Sequence, residues 1–314
     1  MDRQEKRIWW NGELVAEADA LVPVTSLGWA GVEAVFEGMR GYHNAEQDEL
    51  YVFRLEEHID RLMRSMRLVG MAPPWGRDEL IAGCLHVLRA NDCRQDVYLQ
   101  VLAYVPDTGG GRFWTSAGCA VYMDWWPAPS RLGSGHTQTA CVSSYRRIGE
   151  DVMPPRVKNL SNYRNGRLAA REARRHGCDA AILLNAAGHV AEGPGACVVL
   201  VRDGIVVTPD LSSGILESIT RDAILTLARE ALGLEVRERV VDRTELYLAD
   251  EAFFVGNAAE AAPIVAVDGH AVGAGTPGPI SQRLAALLHD VARGISPAYA
   301  HWRTPVALGA LAGR

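Results

Sequence analysis

The sequence predicts a mixed α/β protein of two domains. Three observations lead there. The chain has 314 residues, about two domains of ordinary size. Hydrophobic residues make up 48% and charged residues 22%, enough apolar material for a sizeable core. Helical and two-residue periods alternate in some stretches while hairpin signals dominate others, so the sheet should be mixed.

Trp9–Val15 reads as a hairpin about Asn11–Gly12, a pair that accepts the positive φ angles of a tight strand turn. Gly28–Tyr42 mixes glycine, aromatic and charged residues and reads as a buried strand pair. Leu50–Arg54 is a short strand. From Leu55 to Leu68 the period turns helical, with Leu55, Ile59, Leu62 and Met66 on one face. His58 and Arg61 lie one turn apart on that helix and can address a single anion, although such a pair is more often part of a solvated face. Arg77–Ala90 is a second amphipathic helix, and Val97–Val105 and Gly118–Trp125 are strands. The glycine-rich stretch Asp107–Arg112 lacks the Gly-Lys-Ser/Thr ending of a nucleotide loop. It reads as a mobile loop over a site.

Proline, glycine and serine cluster in Pro127–Gly135, and no apolar period crosses it. This divides the chain into a small domain (1–126), a linker (127–135), a larger domain (136–294) and a loosely docked C-terminal arm (295–314). In the larger domain His136–Ser143 is a strand. Asn162–His176 is a helix, capped by Ser161 or Asn162 and stopped at Gly177. Asp179–Asn185, His189–Glu192 and Ala196–Arg202 are strands, and Asp203–Gly204 turns the last into Ile205–Thr208. Thr220–Leu232 is a helix, Val236–Val241 a strand, Arg243–Leu248 a short helix and Glu251–Gly256 a strand. Pro263–Val272 is a hairpin about Asp268–Gly269, and Ile280–Arg293 is the final helix.

Several function classes are disfavoured. Net charge is −6 with acids and bases interleaved along the sequence, whereas a nucleic-acid footprint needs a clustered basic face. No apolar run is long enough to span a membrane, and the first residues carry no apolar signal segment. The six cysteines form no Cys-x-x-Cys pair and read as small buried hydrophobes in a reducing compartment, so a cytoplasmic location is expected. The nine histidines show no metal-ligand spacing, and no metal is expected.

The chemistry concentrates elsewhere. Lys158 follows the stiff stretch at Pro154–Pro155, and Tyr163 stands five residues later where an Ala/Arg-rich helix begins. Glu192 sits in the glycine-rich Val190–Gly195, and Gly214–Asp222 reads as a loop entering a helix. An amine, a phenol, a carboxylate and a helix N-terminus together suit pyridoxal 5′-phosphate. Taken alone, any lysine is normally a solvated surface residue.

These segments, in this order, resemble the class IV (fold type IV) pyridoxal phosphate-dependent aminotransferases. That family includes branched-chain aminotransferases, D-amino acid aminotransferases and aminodeoxychorismate lyases. Phe36-Glu-Gly-Met-Arg-Gly-Tyr42 resembles a strand of the branched-chain enzymes, and Leu55-Glu-Glu-His-Ile-Asp-Arg-Leu62 resembles the helix whose arginine holds the cofactor phosphate. Val190–Gly195, Ile219–Asp222, Leu246–Phe254 and Gly278–Ile280 continue the match, which runs from about residue 8 to about residue 290.

The resemblance implies roles. Lys158 would form the Schiff base and move the proton between substrate and cofactor. Tyr163 would hydrogen-bond the cofactor's phenolic oxygen, and Glu192 would face the ring nitrogen. Arg61 and the Ile219 and Thr220 amides would bind the phosphate, with Asn257 standing where threonine usually touches it. Leu216 would pack on the ring. Phe36, Arg40, Tyr98, Gln100 and Ala258 would line the substrate pocket, with Trp29, Trp125 or Trp126 as further aromatic candidates. It also implies a homodimer or higher homo-oligomer, acting on an amino acid and a 2-oxo acid.

The chain departs from the branched-chain pattern at Gln100, where those enzymes often carry an arginine that reads the glutamate side chain. Arg40 and Arg112 are the alternative cations. Gly195-Ala-Cys197 replaces the usual Gly-Glu-Asn. The first expectation is therefore transamination of an L-amino acid with an apolar, branched side chain. The alternatives are a D-amino acid or (R)-amine transaminase or an aminodeoxychorismate-lyase-like enzyme, and a non-catalytic cofactor-binding scaffold.

Overall fold

The computed structural model describes residues 5–106 and 118–309. The loop expected at 107–112, with Arg112, lies outside them, as does the side chain of Trp29. The chain forms two compact units. The first holds the described residues up to Ser130, together with 157–161 and the described residues from Val291 onward; the second holds 131–156 and 162–290.

The first unit is built on one antiparallel sheet. Its strands are β1 (Arg7–Trp10), β2 (Glu13–Ala16), β3 (Val35–Asn44), β4 (Glu49–Phe53), β5 (Val97–Tyr104), β6 (Ala120–Pro127) and a late strand, Arg303–Pro305, ordered late strand-β4-β3-β5-β6-β1-β2. The β1–β2 hairpin turns at Asn11 and Gly12, both at positive φ (51° and 101°), as the Asn-Gly pair predicts. Helices α2 (Leu55–Leu68) and α3 (Arg77–Ala90) follow their expected bounds. Their apolar stripes bury Leu55, Ile59, Leu62, Met66, Leu80 and Val87 against Val35, Met39, Leu99, Val101 and Met123 of the sheet.

Two expectations fail in this unit. Gly28–Tyr42 is not a strand pair: α1 (Leu27–Glu33) precedes β3. Glycines at 28 and 31 weaken a helix only modestly, and here a single long strand supplies the pairing. The C-terminal arm is not loosely docked. Its strand Arg303–Pro305 pairs antiparallel with β4, and Trp302 and Val306 are buried. The sequence offered no period because only three residues pair there; the aromatic contact between Phe53 and Trp302, 5.9 Å between centroids, completes the attachment.

The second unit carries a mixed sheet, ordered β11-β10-β9-β12-β13-β7-β8. These are β7 (Gln138–Arg146), β8 (Ala180–Leu184), β9 (Cys197–Arg202), β10 (Ile205–Pro209), β11 (Val236–Arg239), β12 (Glu251–Gly256) and β13 (Glu260–Val267), with β14 (His270–Ala271) as a hairpin partner of β13. β10–β11, β13–β7 and β7–β8 are parallel, and the other neighbours are antiparallel. The C-terminal edge strand of the first unit is β15 (Arg303–Pro305). The expected strand at His189–Glu192 is absent as a regular element. It makes only isolated bridges, to Asp242, Leu184 and Cys197, because the glycines after Glu192 turn the chain away.

Among the helices, α4 (Tyr163–Arg175) packs Ala169 and Ala173 on β7 and β8. α5 (Ile219–Thr226) continues into a π-helical turn at Leu227–Ala231. α6 (Glu245–Leu248) and α7 (Pro279–Ala292) follow. On α4 the spacing of Arg164, Arg167, Arg171 and Arg174 puts four exposed guanidinium groups on one stripe. One exposed stripe of α4 is therefore basic.

Candidate active site

The first unit arranges its candidates on two faces of β3. Cross-strand partners share a face, and the register pairs Phe36 with Leu102, Gly38 with Gln100 and Arg40 with Tyr98. Phe36, Arg40, Tyr98 and Gln100 therefore stand on one face. Glycine is required at 38: a Cβ there would meet the Tyr98 hydroxyl at 1.9 Å. The Tyr98 ring stacks on Trp126, with centroids 4.9 Å apart. Gln100 pairs across to Asp124 on β6 and lies 3.5 Å from the Tyr122 hydroxyl. Arg40 is buried, and its Nη1 donates to the Ala128 carbonyl at 2.7 Å.

Lys158 reaches this face by backbone pairing. The Phe36 amide donates to the Lys158 carbonyl at 3.0 Å, the Leu160 amide to the Ala34 carbonyl at 2.7 Å. The Lys158 amide in turn donates to Ser65 Oγ of α2 at 3.3 Å. Its amine lies 4.7 Å from the centre of the Phe36 ring, a cation–π distance.

Arg61 points to the other face of β3, toward Glu37. Its Nε and Nη2 donate to the two carboxylate oxygens at 2.6 and 2.8 Å, and His58 Nδ1 donates to Oε2 at 2.7 Å. One anion that His58 and Arg61 both address is thus a residue of the chain itself. Burial alone would raise Glu37, but Arg61 and His58 outweigh it and hold the carboxyl well below the usual range. Burial lowers His58, against the pull of Glu37, so a neutral imidazole with its proton on Nδ1 suits this contact.

The second unit gathers Tyr163, Glu192, Leu216 and Asn257 around the 192–197 turn. Glu192 is buried. Its Oε1 meets Arg147 Nη2 at 2.6 Å, while Oε2 accepts from the Leu216 amide at 3.1 Å and faces the Cys197 thiol at 3.7 Å. Burial, reinforced by Glu192, pushes Cys197 up to about 12, so Cys197 is a neutral donor. Arg147 is anchored as well, donating through Nε to the Gly214 carbonyl at 3.1 Å.

Close backbone approaches hold the turn in place. A Cβ on Gly166 would meet the Pro194 carbonyl at 2.6 Å, so only glycine lets α4, whose first residue is Tyr163, lie this near. Gly195 is within reach of the Tyr163 ring, and Gly256, at the end of β12, lies against Gly195 and Ala196. Asn257 and Ala258 follow in the β12–β13 turn, Asn257 half-buried and Ala258 exposed. Leu216 is half-buried, not a core leucine.

Ile219 and Thr220 open α5, whose N-cap Ser218 accepts from the Arg221 amide at 3.2 Å. The Thr220 hydroxyl is buried and has no hydrogen-bond partner among the described residues. Buried hydroxyls are normally satisfied, and this one stands where a helix N-terminus favours an anion.

Residues 34–267 match the family described as amino-transferase class IV. The chain belongs to the class IV aminotransferases. A probable branched-chain-amino-acid aminotransferase of Aquifex aeolicus is 36% identical over 301 residues, covering 95% of this chain and 96% of that protein. The branched-chain-amino-acid aminotransferase of Escherichia coli is 39% identical over 282 residues, or 88% of this chain and 90% of that one. The crystal structure of the branched-chain amino acid aminotransferase of Thermobaculum terrenum in its PLP form has a TM-score of 0.94 and 47% identity, covering 98% of this chain and 100% of that one.

As a class IV aminotransferase the protein uses pyridoxal 5′-phosphate and transfers amino groups. Each unit carries groups that suit such a cofactor: a lysine amine in the first, and in the second a buried carboxylate and, at a helix N-terminus, a buried hydroxyl with no partner among the described residues. The ion-pair partners of two candidate residues escaped sequence reasoning. Glu37 lay inside a quoted motif without a role. Arg147 carried no local signal; only the rule that a buried carboxylate needs a counter-charge points to a missing cation.

Proposed function

We propose that the protein moves amino groups between L-amino acids with apolar, branched side chains and 2-oxo acids, and that it does so as a cytoplasmic homodimer. The observation that carries the substrate reading is the face of β3 and β5. Phe36 and Tyr98 give it apolar walls, and Gln100 stands there with no charge.

The chemistry supplied by the bound cofactor is uptake of the amino group and acceptance of the electrons left at the substrate Cα. Lys158 holds the cofactor and carries the proton at Nζ. Its amine stands against Phe36, which limits water around it. Glu192, oriented by Arg147 and the Leu216 amide, would face the ring nitrogen. Tyr163 donates to the ring oxygen. Arg61, locked by Glu37, and the first turn of α5 with the Thr220 hydroxyl take the phosphate, with Asn257 as a further donor. Leu216 supports the ring. Arg40, Gln100 and Ala258 border the substrate.

Borohydride reduction of the holoenzyme followed by peptide mapping should place the pyridoxyl group on Lys158, and Lys158→Ala should lower turnover by about 10⁴-fold or more. Label on another lysine would reject the assignment. Half-reaction rates with leucine, alanine, glutamate and a D-amino acid test the substrate. Leucine should lead, and Gln100→Arg should raise relative use of 2-oxoglutarate by about tenfold to a hundredfold, the worth of a charge-assisted contact. A strong glutamate preference unmoved by changes at 100 would overturn this reading.

Exposed Leu21, Val24, Leu27 and Val32 support the dimer. Some of this stretch lines a cavity of about 380 Å³ with Ile8, Trp10 and Leu102. An apolar surface of this kind suits burial against a second copy.

A further inference from the structure

The second unit holds a cavity of about 440 Å³ that shares no residue with the site described above. Its apolar walls come from Leu132, Ala261, Pro263, Ala285 and Ala286. Besides Gln282, whose amide donates to the Pro277 carbonyl at 2.8 Å, its polar side chains form two pairs. Arg131 Nη1 lies 3.4 Å from His136 Nε2, and His289 Nδ1 lies 3.1 Å from Asp290 Oδ1. All four of these residues line the cavity. The loop that presents Arg131 is fixed: its amide donates to the buried Glu260 carboxylate at 2.6 Å, and its carbonyl accepts from Ser134 Oγ at 2.7 Å.

The volume is that of a small-molecule pocket, with apolar walls and few polar groups. The charges narrow the ligand. A guanidinium attracts a carboxylate, but Asp290 would repel a simple anion, and Arg131 would repel a simple cation. A ligand carrying both charges is favoured by both. We propose that this cavity is a second amino-acid site. It takes a zwitterionic α-amino acid with an aliphatic side chain, its carboxylate toward Arg131, its ammonium toward Asp290 and its side chain on the alanine and proline walls.

This site stands on the cavity and not on the transamination reading, and its test keeps the two apart. The probe is radiolabelled α-methylleucine, which has no α-hydrogen and cannot be transaminated. Equilibrium dialysis of the holoenzyme counts bound probe, and the cofactor's visible absorbance reports the catalytic site separately. The expected result is one equivalent per protomer beyond whatever the cofactor signal reports. That equivalent should weaken about tenfold to a hundredfold in Arg131→Gln and in Asp290→Asn, with the cofactor titration unchanged. 4-Methylpentanoate, which has the carboxylate and chain but no ammonium, should compete for this equivalent at least about tenfold more weakly than unlabelled α-methylleucine. No additional equivalent, or one unmoved by either substitution, overturns the site. Equal competition by 4-methylpentanoate overturns its zwitterion selectivity.

Discussion

Glu37 and Glu192 are both buried carboxylates bound by an arginine, but they are held in different ways. Glu37 lies on a regular strand and takes a two-pronged contact from Arg61 plus a third donor from His58. Its charge is consumed in fixing those two side chains. Glu192 lies in an irregular turn, with Arg147 on one oxygen and a backbone amide and a thiol on the other. Its partners aim the group. An ion pair therefore does not announce its role by its partners alone. A strand carboxylate gripped from every side suits bracing, whereas the proposed ligand role falls to a turn carboxylate held by one arginine, an amide and a neutral thiol.

The strongest way to break this contrast is Glu37→Gln. It leaves the Arg61 charge buried without its partner, a loss of about 3–5 kcal/mol of stability. The denaturation midpoint of the apoprotein should fall accordingly, and a midpoint close to wild type would show that Glu37 does not brace. Glu192→Gln should leave a folded protein that binds cofactor yet turns over about 10²–10³-fold more slowly, the scale for losing one preorganised electrostatic contact. If that variant loses stability as Glu37→Gln does while keeping its turnover, the two roles have been exchanged. Arg61→Ala has a smaller expected effect. Cofactor affinity should weaken about tenfold to a hundredfold, read by equilibrium dialysis of pyridoxal phosphate; unchanged affinity would make Arg61 purely a partner of Glu37.

Acidification sharpens the same comparison with the smallest effect. Glu37 and His58 both titrate below their ordinary values in the fold. A depressed value means stability that is complete above the unfolded pKa and lost as pH falls through the folded one. His58 should begin to erode stability below about pH 6.5, and Glu37 below about pH 5. Apoprotein melting points should fall steadily between about pH 7 and about pH 4. In Glu37→Gln the decline below about pH 5 should be shallower. An equally steep decline in that variant would assign acid sensitivity to other groups.

How much of this was legible depends on where the signal resides. α2 and α3 follow their expected bounds because each is amphipathic over fourteen residues, and a long repeated period is hard to mistake. α1 was missed because its glycines look like turn residues, and the C-terminal edge strand because three residues carry no period. The 189–192 segment reads as a strand locally, yet pairs only through isolated bridges. Within the site, Arg61 drew attention as half of a His–Arg pair one turn apart on a helix, but its partner lies 24 residues earlier. Arg147 meets Glu192 across 45 residues (192 − 147). Such pairings exist only once the sheets have formed, so local spacing holds no trace of them.

The arginine stripe on α4 gives the molecule an uneven electrical surface. A protein of net charge −6 should migrate as an anion at neutral pH, yet one side of it presents Arg164, Arg167, Arg171 and Arg174 in a row. At low ionic strength these like charges, three and four residues apart, repel along the helix by a few tenths of a kcal/mol per pair. Added salt screens that repulsion within a Debye length of about 10 Å at 0.1 M. Handling follows from this. The enzyme should stick to sulfated or phosphorylated resins despite its acidic charge, release at modest salt, and store better in buffered salt than in water.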